Sequence, residues 1–327
     1  MEWRAIVDEA LRRRKAERLT QREHAALAGV SIPTIAAFDR GENTLTLAKA
    51  FDILRVVGLL NEPGPAGAQE RFMREAFERW QFLTASLPPN SPARFPNGWY
   101  RFDYWLEGDL KSVRMTDFET IMRDAKTRHT GWPVFITLTK SEFAPREVDS
   151  VLECWLPPEG KDYPERMFGN DPAHCDFWRA TPSGRLFLIR GYEEDGQETF
   201  PPGTLMDTTR PIWRLGETLL HAERLASLMR AHDDTEIMVH FRALYTGLSG
   251  RVLRSWANPM IDLFVEGYAA RSNEVLLETS VPATGITENL AEHLFPMITD
   301  IFERFGVVGL SADGVRSEVQ RLLRSHI

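Results

Sequence analysis

The side chains that could do catalytic or metal chemistry are scattered along this chain of 327 residues. Cys154, His174 and Cys175 are zinc-ligand types, but no second pair at the spacing of a zinc site accompanies them. The other histidines form no His-Glu-x-x-His motif, and neither a Gly-x-Ser-x-Gly elbow nor a P-loop occurs. We therefore expect no enzyme activity, no cofactor and no metal, and we interpret both cysteines as buried free thiols.

Positive charge, which suits contact with phosphate, is concentrated near the N-terminus. The whole chain has a net charge of −8, but residues 1–60 hold ten Lys/Arg against eight Asp/Glu. The rest holds 29 Lys/Arg and 39 Asp/Glu, a net charge of −10. A segment of net charge +2 has the sign that phosphate contact requires, although one copy would bind a polyanion weakly. The run Arg12–Lys15 is either part of this contact or an ordinary solvated helix face.

Helix-start and helix-stop signals divide residues 3–57 into four short helices. Thr20 and Glu23 form a capping box, and Ser31 is a second side-chain cap. Gly29 lies between them and can adopt a positive φ, which lets the chain turn within a few residues. The remaining signals are Pro33 in the first turn of the third helix, Gly41 at its end, and Thr46 and Gly58 around the fourth. These signals predict a compact helical domain in which the second and third helices are joined by a tight turn.

The stretch 19–43 resembles the helix-turn-helix of the XRE (Cro/cI-type) family of transcriptional regulators. The family pattern runs Thr-Gln, Ala, Gly-Val-Ser, Thr-Ile and acidic-x-Gly, and residues 20–41 match it, with Asp39 in place of the usual Glu. The resemblance covers residues 8–60 only. It implies an N-terminal all-α, lambda-repressor-like fold and a partner that is double-stranded operator DNA. It also implies a homodimer, because the family binds paired half-sites.

The resemblance further implies which residues contact DNA. In this family the start of the second helix and the loop after the third hold phosphates, while the exposed face of the third reads bases. The expected phosphate contacts are Gln21, Arg22, Arg40, Asn43 and Thr44. The residues expected to face base edges are Ile32, Pro33, Thr34 and Ala37. This face is poor in Arg, Asn and Gln, so thymine-methyl contacts and DNA shape are expected to supply much of the specificity.

Two alternatives to DNA contact stay open for this region. Asn43 and Thr44 are as well suited to shaping a turn as to touching phosphate. The whole bundle over residues 1–60 could also serve protein contacts only. The resemblance favours DNA over this second alternative.

The rest of the chain has the pattern of a larger α+β region. We expect a helix-turn-helix domain over 1–62, a linker with one helix over 63–97, an α+β domain over 98–233 and an α+β C-terminal subdomain over 234–327. The expected strands are 99–106, 133–139, 149–156, 184–191, 236–246 and 274–281, and the expected helices lie near 68–86, 115–128, 212–232, 287–305 and 312–325. Strands and helices do not alternate regularly, which favours a multidomain α+β fold over a doubly wound sheet.

Aromatic-rich segments in the larger region are candidates for effector or partner binding. Asp171–Trp178 and Pro211–Arg214 are either the lining of a ligand pocket or ordinary core, since pockets combine apolar walls with a few polar anchors. The apolar residues of the helix over 68–86 belong either to a dimerisation helix or to packing beneath the C-terminal region.

The sequence therefore predicts a sequence-specific DNA-binding regulator, interpreted as a repressor, that dimerises through its C-terminal region and has a small-molecule or protein effector there as an open possibility. We expect a cytoplasmic protein without a membrane partner, because no apolar run approaches the roughly eighteen residues of a span and the start lacks a signal-peptide core. Two alternatives are a DNA-targeted nuclease or nucleotide hydrolase and an antitoxin-like protein that binds a partner. The first would need an acidic metal cluster, which the sequence does not show at recognisable spacing.

Overall fold

The computed structural model of the protein describes residues 3–42, 44–60, 65–160, 163, 165–256 and 268–325. The chain divides into two compact units, residues 1–70 and 71–327. The first unit is α-helical and the second combines helices with a large antiparallel sheet. This confirms the expected multidomain α+β layout.

The first unit is a bundle of short helices. They are α1 (Trp3–Ala16), α2 (Gln21–Leu27), α3 (Ile32–Asp39) and α4 (Leu47–Val56). Thr20, Ser31 and Thr46 cap the last three through side-chain oxygens that accept backbone N–H groups, as the sequence predicts. The apolar faces meet in a core whose buried members are Val7, Ala10, Ala25, Ala28, Ile35, Phe38, Ile53, Leu54 and Val57. The caps fix where each helix begins, and the core fixes which face of each helix turns outward.

A seven-stranded antiparallel sheet is the centre of the larger unit. In spatial order its strands are β2 (Arg146–Val148), β3 (Val151–Trp155), β4 (Phe177–Thr181), β5 (Arg185–Gly191), β1 (Trp99–Glu107), β7 (Met238–Tyr245) and β9 (Val275–Pro282). The short parallel pair β6 (Leu205–Asp207) and β8 (Val252–Arg254) lies outside this sheet. Phe102 of β1 is paired with Leu188 of β5 on one side and with Ala243 of β7 on the other. Because β7 and β9 continue the sheet that β1 and β5 begin, the expected boundary at residue 233 lies inside one unit.

Helices cover both faces of the sheet. One face packs on α6 (Met115–Ala125), α7 (Thr209–Met229), α8 (Leu290–Glu303) and α9 (Ala312–Arg324). Phe187 and Ile189 of β5 point the other way, since side chains alternate along a strand, and they are buried with residues of α5 (Pro65–Thr84). Phe72 and Trp80 are the largest buried side chains of that helix. Of the two interpretations of the 68–86 helix, packing beneath the C-terminal region is the one observed.

The segment 133–139, expected as a strand, forms none. Phe135 has a φ of +48°, which interrupts extended geometry. The carbonyl oxygen of Ile136 accepts a hydrogen bond from the indole N–H of Trp178 at 2.9 Å. The apolar run is buried, as its composition suggests, but its backbone bonds to a side chain instead of to a neighbouring strand.

The expected strand 149–156 contains a turn at its start. Asp149 and Ser150 have φ values of +51° and +60°, and they link Val148 of β2 to its partner Val151 of β3. Positive φ at both central residues is the signature of a two-residue hairpin. The strand therefore begins two residues later than expected, and β2 precedes it. The strands β2, β4, β6 and β8 were not expected from the sequence.

Candidate nucleic-acid interface

The turn between α2 and α3 depends on a glycine in a conformation that few other residues adopt. Gly29 has a φ of +62°, the positive value that the sequence predicts. The N–H groups of Gly29 and Val30 donate to the carbonyl oxygens of Ala26 and Ala25 at 3.3 and 3.0 Å. A Cβ atom at position 29 would meet no atom within 4 Å, so the backbone angle alone constrains the residue. This one torsion angle directs the chain from α2 into α3.

Helix α3 presents a solvent face that takes no part in the core. Ile35 and Phe38 are buried, and residues on the opposite side of the helix turn outward. Ile32 is 49% exposed, Pro33 is exposed and Ala37 is half-buried. These are three of the four residues expected to face bases, and the structure brings them to one face.

The fourth expected base-reading residue, Thr34, also has a structural role. Its hydroxyl is hydrogen-bonded to the hydroxyl of Ser31 at 2.8 Å, and its backbone N–H donates to the same oxygen at 3.4 Å. Thr34 is half-buried in the first turn of α3. It therefore helps to define the start of the helix, whatever its side chain meets outside.

A charge cluster, which we call the Asp39 clamp, joins α1, α2 and α3. Asp39 at the end of α3 accepts two hydrogen bonds from the Arg14 guanidinium at 2.8 and 3.0 Å, and a third from the side-chain amide of Gln21 at 2.5 Å. The side chains of Arg14 and Asp39 are only 11% and 13% exposed. The Trp3 indole N–H additionally donates to the Gly41 carbonyl oxygen at 3.1 Å, which holds the chain after α3. The sequence gives only a weak signal for this cluster, because Asp39 occupies the acidic position of the family pattern and nothing in that pattern indicates its partners.

The run Arg12–Lys15 does not act as a single basic patch. Arg12 and Arg13 are paired with Glu9, and Arg14 belongs to the Asp39 clamp, so only Lys15 lacks a carboxylate partner in the described part of the chain. The positive run therefore carries far less free charge than its composition suggests.

Four cations of residues 1–60 remain without a side-chain partner among the described residues. They are exposed, and they are Lys15, Arg18, Arg22 and Lys49. Lys49 was not expected from the sequence, although its place in the first turn of α4, after the loop that follows α3, was an available signal. Free cations thus occur both on α2 and after α3, the two places where phosphate contacts are expected.

The expected phosphate contacts differ in whether their side chains are already bonded to other side chains of the protein. Arg22 is exposed and free, as described above. Arg40 is paired with Glu42 at 2.6 Å, but their side chains are 62% and 41% exposed, so the pair contributes little and could be exchanged for phosphate at small cost. Thr44 is exposed, and Asn43 lies outside the described residues. Gln21 is less free than these residues, because its amide is held in the Asp39 clamp.

A buried histidine links α2 to α4. His24 is 1% exposed, and its Nε2 lies 2.9 Å from the Ile53 carbonyl oxygen, to which it donates. Its Nδ1 is buried without a partner among the described residues. Burial lowers the pKa of His24 below its usual value, and the charge of Arg14 lowers it further. Burial therefore favours the neutral form of this histidine in the folded unit.

The two aromatic-rich segments of the larger unit meet at a cavity. Ala173 from the segment that ends at Trp178 lines it, together with Pro211 and Arg214 from the other segment. Phe177 and Trp178 are instead fully buried in the core. The residues of these segments therefore divide between the lining of this cavity and the core.

The chemistry of the two cysteines and of possible metal groups is limited by burial and spacing. Cys154 and Cys175 are free and buried, and burial raises the pKa of both thiols, which disfavours the reactive thiolate. Within the described ranges, no group of three or more His, Cys, Asp or Glu side chains could hold a metal ion. In the same part of the chain, no helix has the length and apolar character needed to cross a membrane.

Comparison of the chain with known proteins found no matching family model, no matching curated protein and no matching solved structure. The function is therefore inferred from the residues and geometry of the protein itself.

Proposed function

We propose that this protein is a sequence-specific DNA-binding regulator of transcription, acting as a homodimer and as a repressor, in which α3 is the reading helix. The observation that carries the proposal is the solvent face of α3, formed by Ile32, Pro33 and Ala37, on a helix that the Asp39 clamp ties to α1 and α2. A helix that enters a groove needs both a free face and a fixed orientation. The resemblance of residues 8–60 to the XRE family supports the same role.

The side chains of this face favour a particular kind of reading. Ile32 and Ala37 offer methyl groups, which suit contact with thymine methyls, and they offer no bidentate hydrogen-bonding group for guanine or adenine. Small side chains also let the helix backbone approach the base edges closely. We infer an operator in which thymine positions and groove shape contribute more to specificity than hydrogen bonds do.

Dimer formation follows from the charge of one reading unit. Affinity for DNA at physiological salt depends on the number of phosphates neutralised by Lys and Arg. One unit offers four unpaired cations among its described residues, and exposed ion pairs such as Arg40–Glu42 add exchangeable ones. Two units on half-sites about one helical turn apart, roughly 34–36 Å, would double this number. In this proposal the larger unit supplies the dimer contacts and any effector response.

The proposal is tested by a charge placed on the reading face. An operator is first selected from random double-stranded DNA with the full-length protein, and binding is then measured by gel shift. Ala37→Glu should lose specific binding by a factor of a hundred or more, because the carboxylate faces phosphate and base edges, and loss of specificity is about 4–10 kcal/mol in such proteins. Its melting temperature should stay near the wild-type value, since the side chain lies outside the core.

Ala5→Glu is the matched control. Ala5 is an exposed residue of α1, so the same substitution adds the same charge to the same unit without altering the sequence of α3. Its affinity for the operator should remain within a few-fold of wild type. Wild-type affinity in Ala37→Glu, or a complex containing one chain per operator, would contradict the proposal.

A further inference from the structure

A cleft of the larger unit, which we call the Phe168 cleft, opens to solvent and has a volume of about 590 Å³. Volumes of several hundred Å³ are typical of sites for small organic molecules. Three segments of the chain line it. They are the loop residues Glu159 and 168–170, the pair Asp171 and His174, and the short 3-10 helix Glu193–Gly196 with the residue after it.

Contacts among the lining residues themselves hold the cleft in shape. The backbone N–H of Glu159 donates to the Gly169 carbonyl oxygen at 3.0 Å, and the side-chain amide of Asn170 donates to the Glu159 carboxylate at 2.6 Å. A Cβ atom at Gly196 would lie 2.5 Å from Oδ1 of Asp171, so the 3-10 helix packs against Asp171 more closely than a side chain would allow. The cleft is therefore formed before any ligand arrives.

An oriented imidazole lies in the lining of this cleft. Nδ1 of His174 is 2.8 Å from the Asp171 carboxylate, and it donates there because an ionised carboxylate only accepts. The ring also packs against Phe168, stacked at 4.8 Å between centroids, and against the edge of Trp132 at 4.5 Å. Its Nε2 has no hydrogen-bond partner among the described residues. Nε2 is therefore the ring nitrogen that is left to accept a hydrogen bond from a ligand.

The aromatic ring of Phe168 offers a surface on which a flat group can stack. Phe168 is 55% exposed, although large apolar side chains are usually buried. Its φ of +65° lies in the left-handed region, which bulky residues rarely adopt. The fold therefore keeps this ring at the cleft at a cost, and strain of this kind is concentrated at functional sites.

The charge of the lining selects the sign of the ligand. Glu159, Asp171 and Glu193 line the cleft, and its described lining includes no Lys or Arg. Asp171 and Glu193 are partly compensated, since the first accepts from His174 and the second is paired with Arg210 at 2.6 Å. The exposed Glu159 accepts only from a neutral amide, so its negative charge is uncompensated among the described residues. The cleft therefore favours a cation over a phosphate or a carboxylate.

We propose that the Phe168 cleft binds an organic cation with a flat head that carries N–H groups, a guanidinium or an amidinium. The head stacks on the Phe168 ring, which attracts cations through its π face, and donates hydrogen bonds to the Glu159 carboxylate and to Nε2 of His174. A metal ion is disfavoured, because no group of three ligand side chains in the described ranges could hold one. Every residue of the site belongs to the larger unit, so its test is separate from that of DNA binding.

Two probes of nearly the same shape test the charge preference on the full-length protein without DNA. Phenylguanidine is a cation at neutral pH, and phenylurea is its neutral counterpart; benzoate serves as an anionic probe. Dissociation constants are measured by isothermal titration calorimetry at low salt. Phenylguanidine should bind at least about tenfold more tightly than phenylurea or benzoate. Its affinity should fall as sodium chloride is added, because salt screens the exposed carboxylate.

Two variants, each with a matched control, test the residues of the site. Glu159→Gln removes the charge and keeps an oxygen for the Asn170 amide, and it should weaken phenylguanidine about threefold or more. Its control is Glu165→Gln, an exposed residue of the same loop outside the lining, which should bind as the wild type does. Phe168→Leu removes the ring and should weaken phenylguanidine about fivefold. Its control is Met167→Leu, since Met167 is 77% exposed and also lies outside the lining.

The proposal is overturned if phenylguanidine fails to bind, or if phenylurea or benzoate binds as tightly. It is also overturned if Glu159→Gln or Phe168→Leu binds phenylguanidine with the affinity of its control variant.

Discussion

Removal of the guanidinium at position 14 tests how far the first unit depends on the Asp39 clamp. In Arg14→Met, Asp39 loses two charged hydrogen bonds and keeps, among the described side chains, the bond from the Gln21 amide. An exposed ion pair contributes about 0–1 kcal/mol, whereas breaking a fully buried one costs about 3–5 kcal/mol. With side chains 11% and 13% exposed, the pair lies between these limits. We expect the opening free energy of the first unit to fall by about 2 kcal/mol.

Hydrogen exchange on the full-length protein measures this loss locally. Peptides that cover α1, α2 and α3 should exchange about thirtyfold faster in Arg14→Met, because each 1.4 kcal/mol corresponds to a factor of about ten. Peptides from the sheet of the larger unit should be unchanged and serve as the internal reference. The double variant Arg14→Met with Asp39→Asn should recover part of the protection, because no unpaired carboxylate remains.

The control is an exposed pair in the same unit. Arg55 is paired with Asp52, and their side chains are 52% and 43% exposed. Arg55→Met should therefore change the opening free energy by less than about 0.5 kcal/mol. If Arg14→Met exchanges no faster than Arg55→Met, the clamp does not hold the three helices together and the reasoning is refuted.

Two further predictions concern the turn and the buried histidine. Gly29→Val should destabilise the first unit by about 1–3 kcal/mol, because position 29 has a φ of +62° that a β-branched residue rarely adopts. Gly29→Asn should destabilise it less, since Asn tolerates the left-handed region of backbone angles. Equal melting temperatures for the two variants would contradict this. The lowered pKa of His24 means that the unfolded chain binds a proton more readily than the folded one. The stability contributed by neutral His24 is therefore fully present above the unfolded value of about 6.5 and is lost as the pH falls below it. Hydrogen-exchange protection of α2 and α4, corrected for the intrinsic exchange rate, should fall between pH 7 and pH 5.5. It should fall less in His24→Gln. Protection that does not change with pH in the wild type would rule this out.

Local sequence signals predicted most of the first unit. Thr20 and Ser31 cap helices because short polar side chains satisfy the N–H groups of the first turn, which depends only on residues three positions away. Gly29 was predictable for the same reason, since a positive φ is a property of one residue. The clamp was not predictable, because Arg14 and Asp39 meet across 25 positions of the chain and either could have faced solvent.

The difference between local signals and contacts distant in sequence also explains the wrong strand predictions in the larger unit. The strand β4 was missed because Arg179 breaks its apolar pattern, yet Arg179 is buried there beside Glu153, from which its guanidinium lies 3.4 Å away. The segment 133–139 has the composition of a strand, but the Trp178 indole takes the carbonyl oxygen that a neighbouring strand would have used. Both outcomes are decided by residues distant in sequence, which hydrophobic periodicity does not register.

The solvent face of α3 and the Asp39 clamp divide two tasks between separate residues. Ile32 and Ala37 contribute nothing to the core of the first unit, whereas Asp39 and Gly29 determine its geometry. Substitutions at these two outward positions should therefore change the stability of the first unit little. Each new side chain there alters only the surface that α3 presents to a partner. Under the proposed function, sister copies that arise by gene duplication would diverge towards new operators by single substitutions while their scaffold stayed the same.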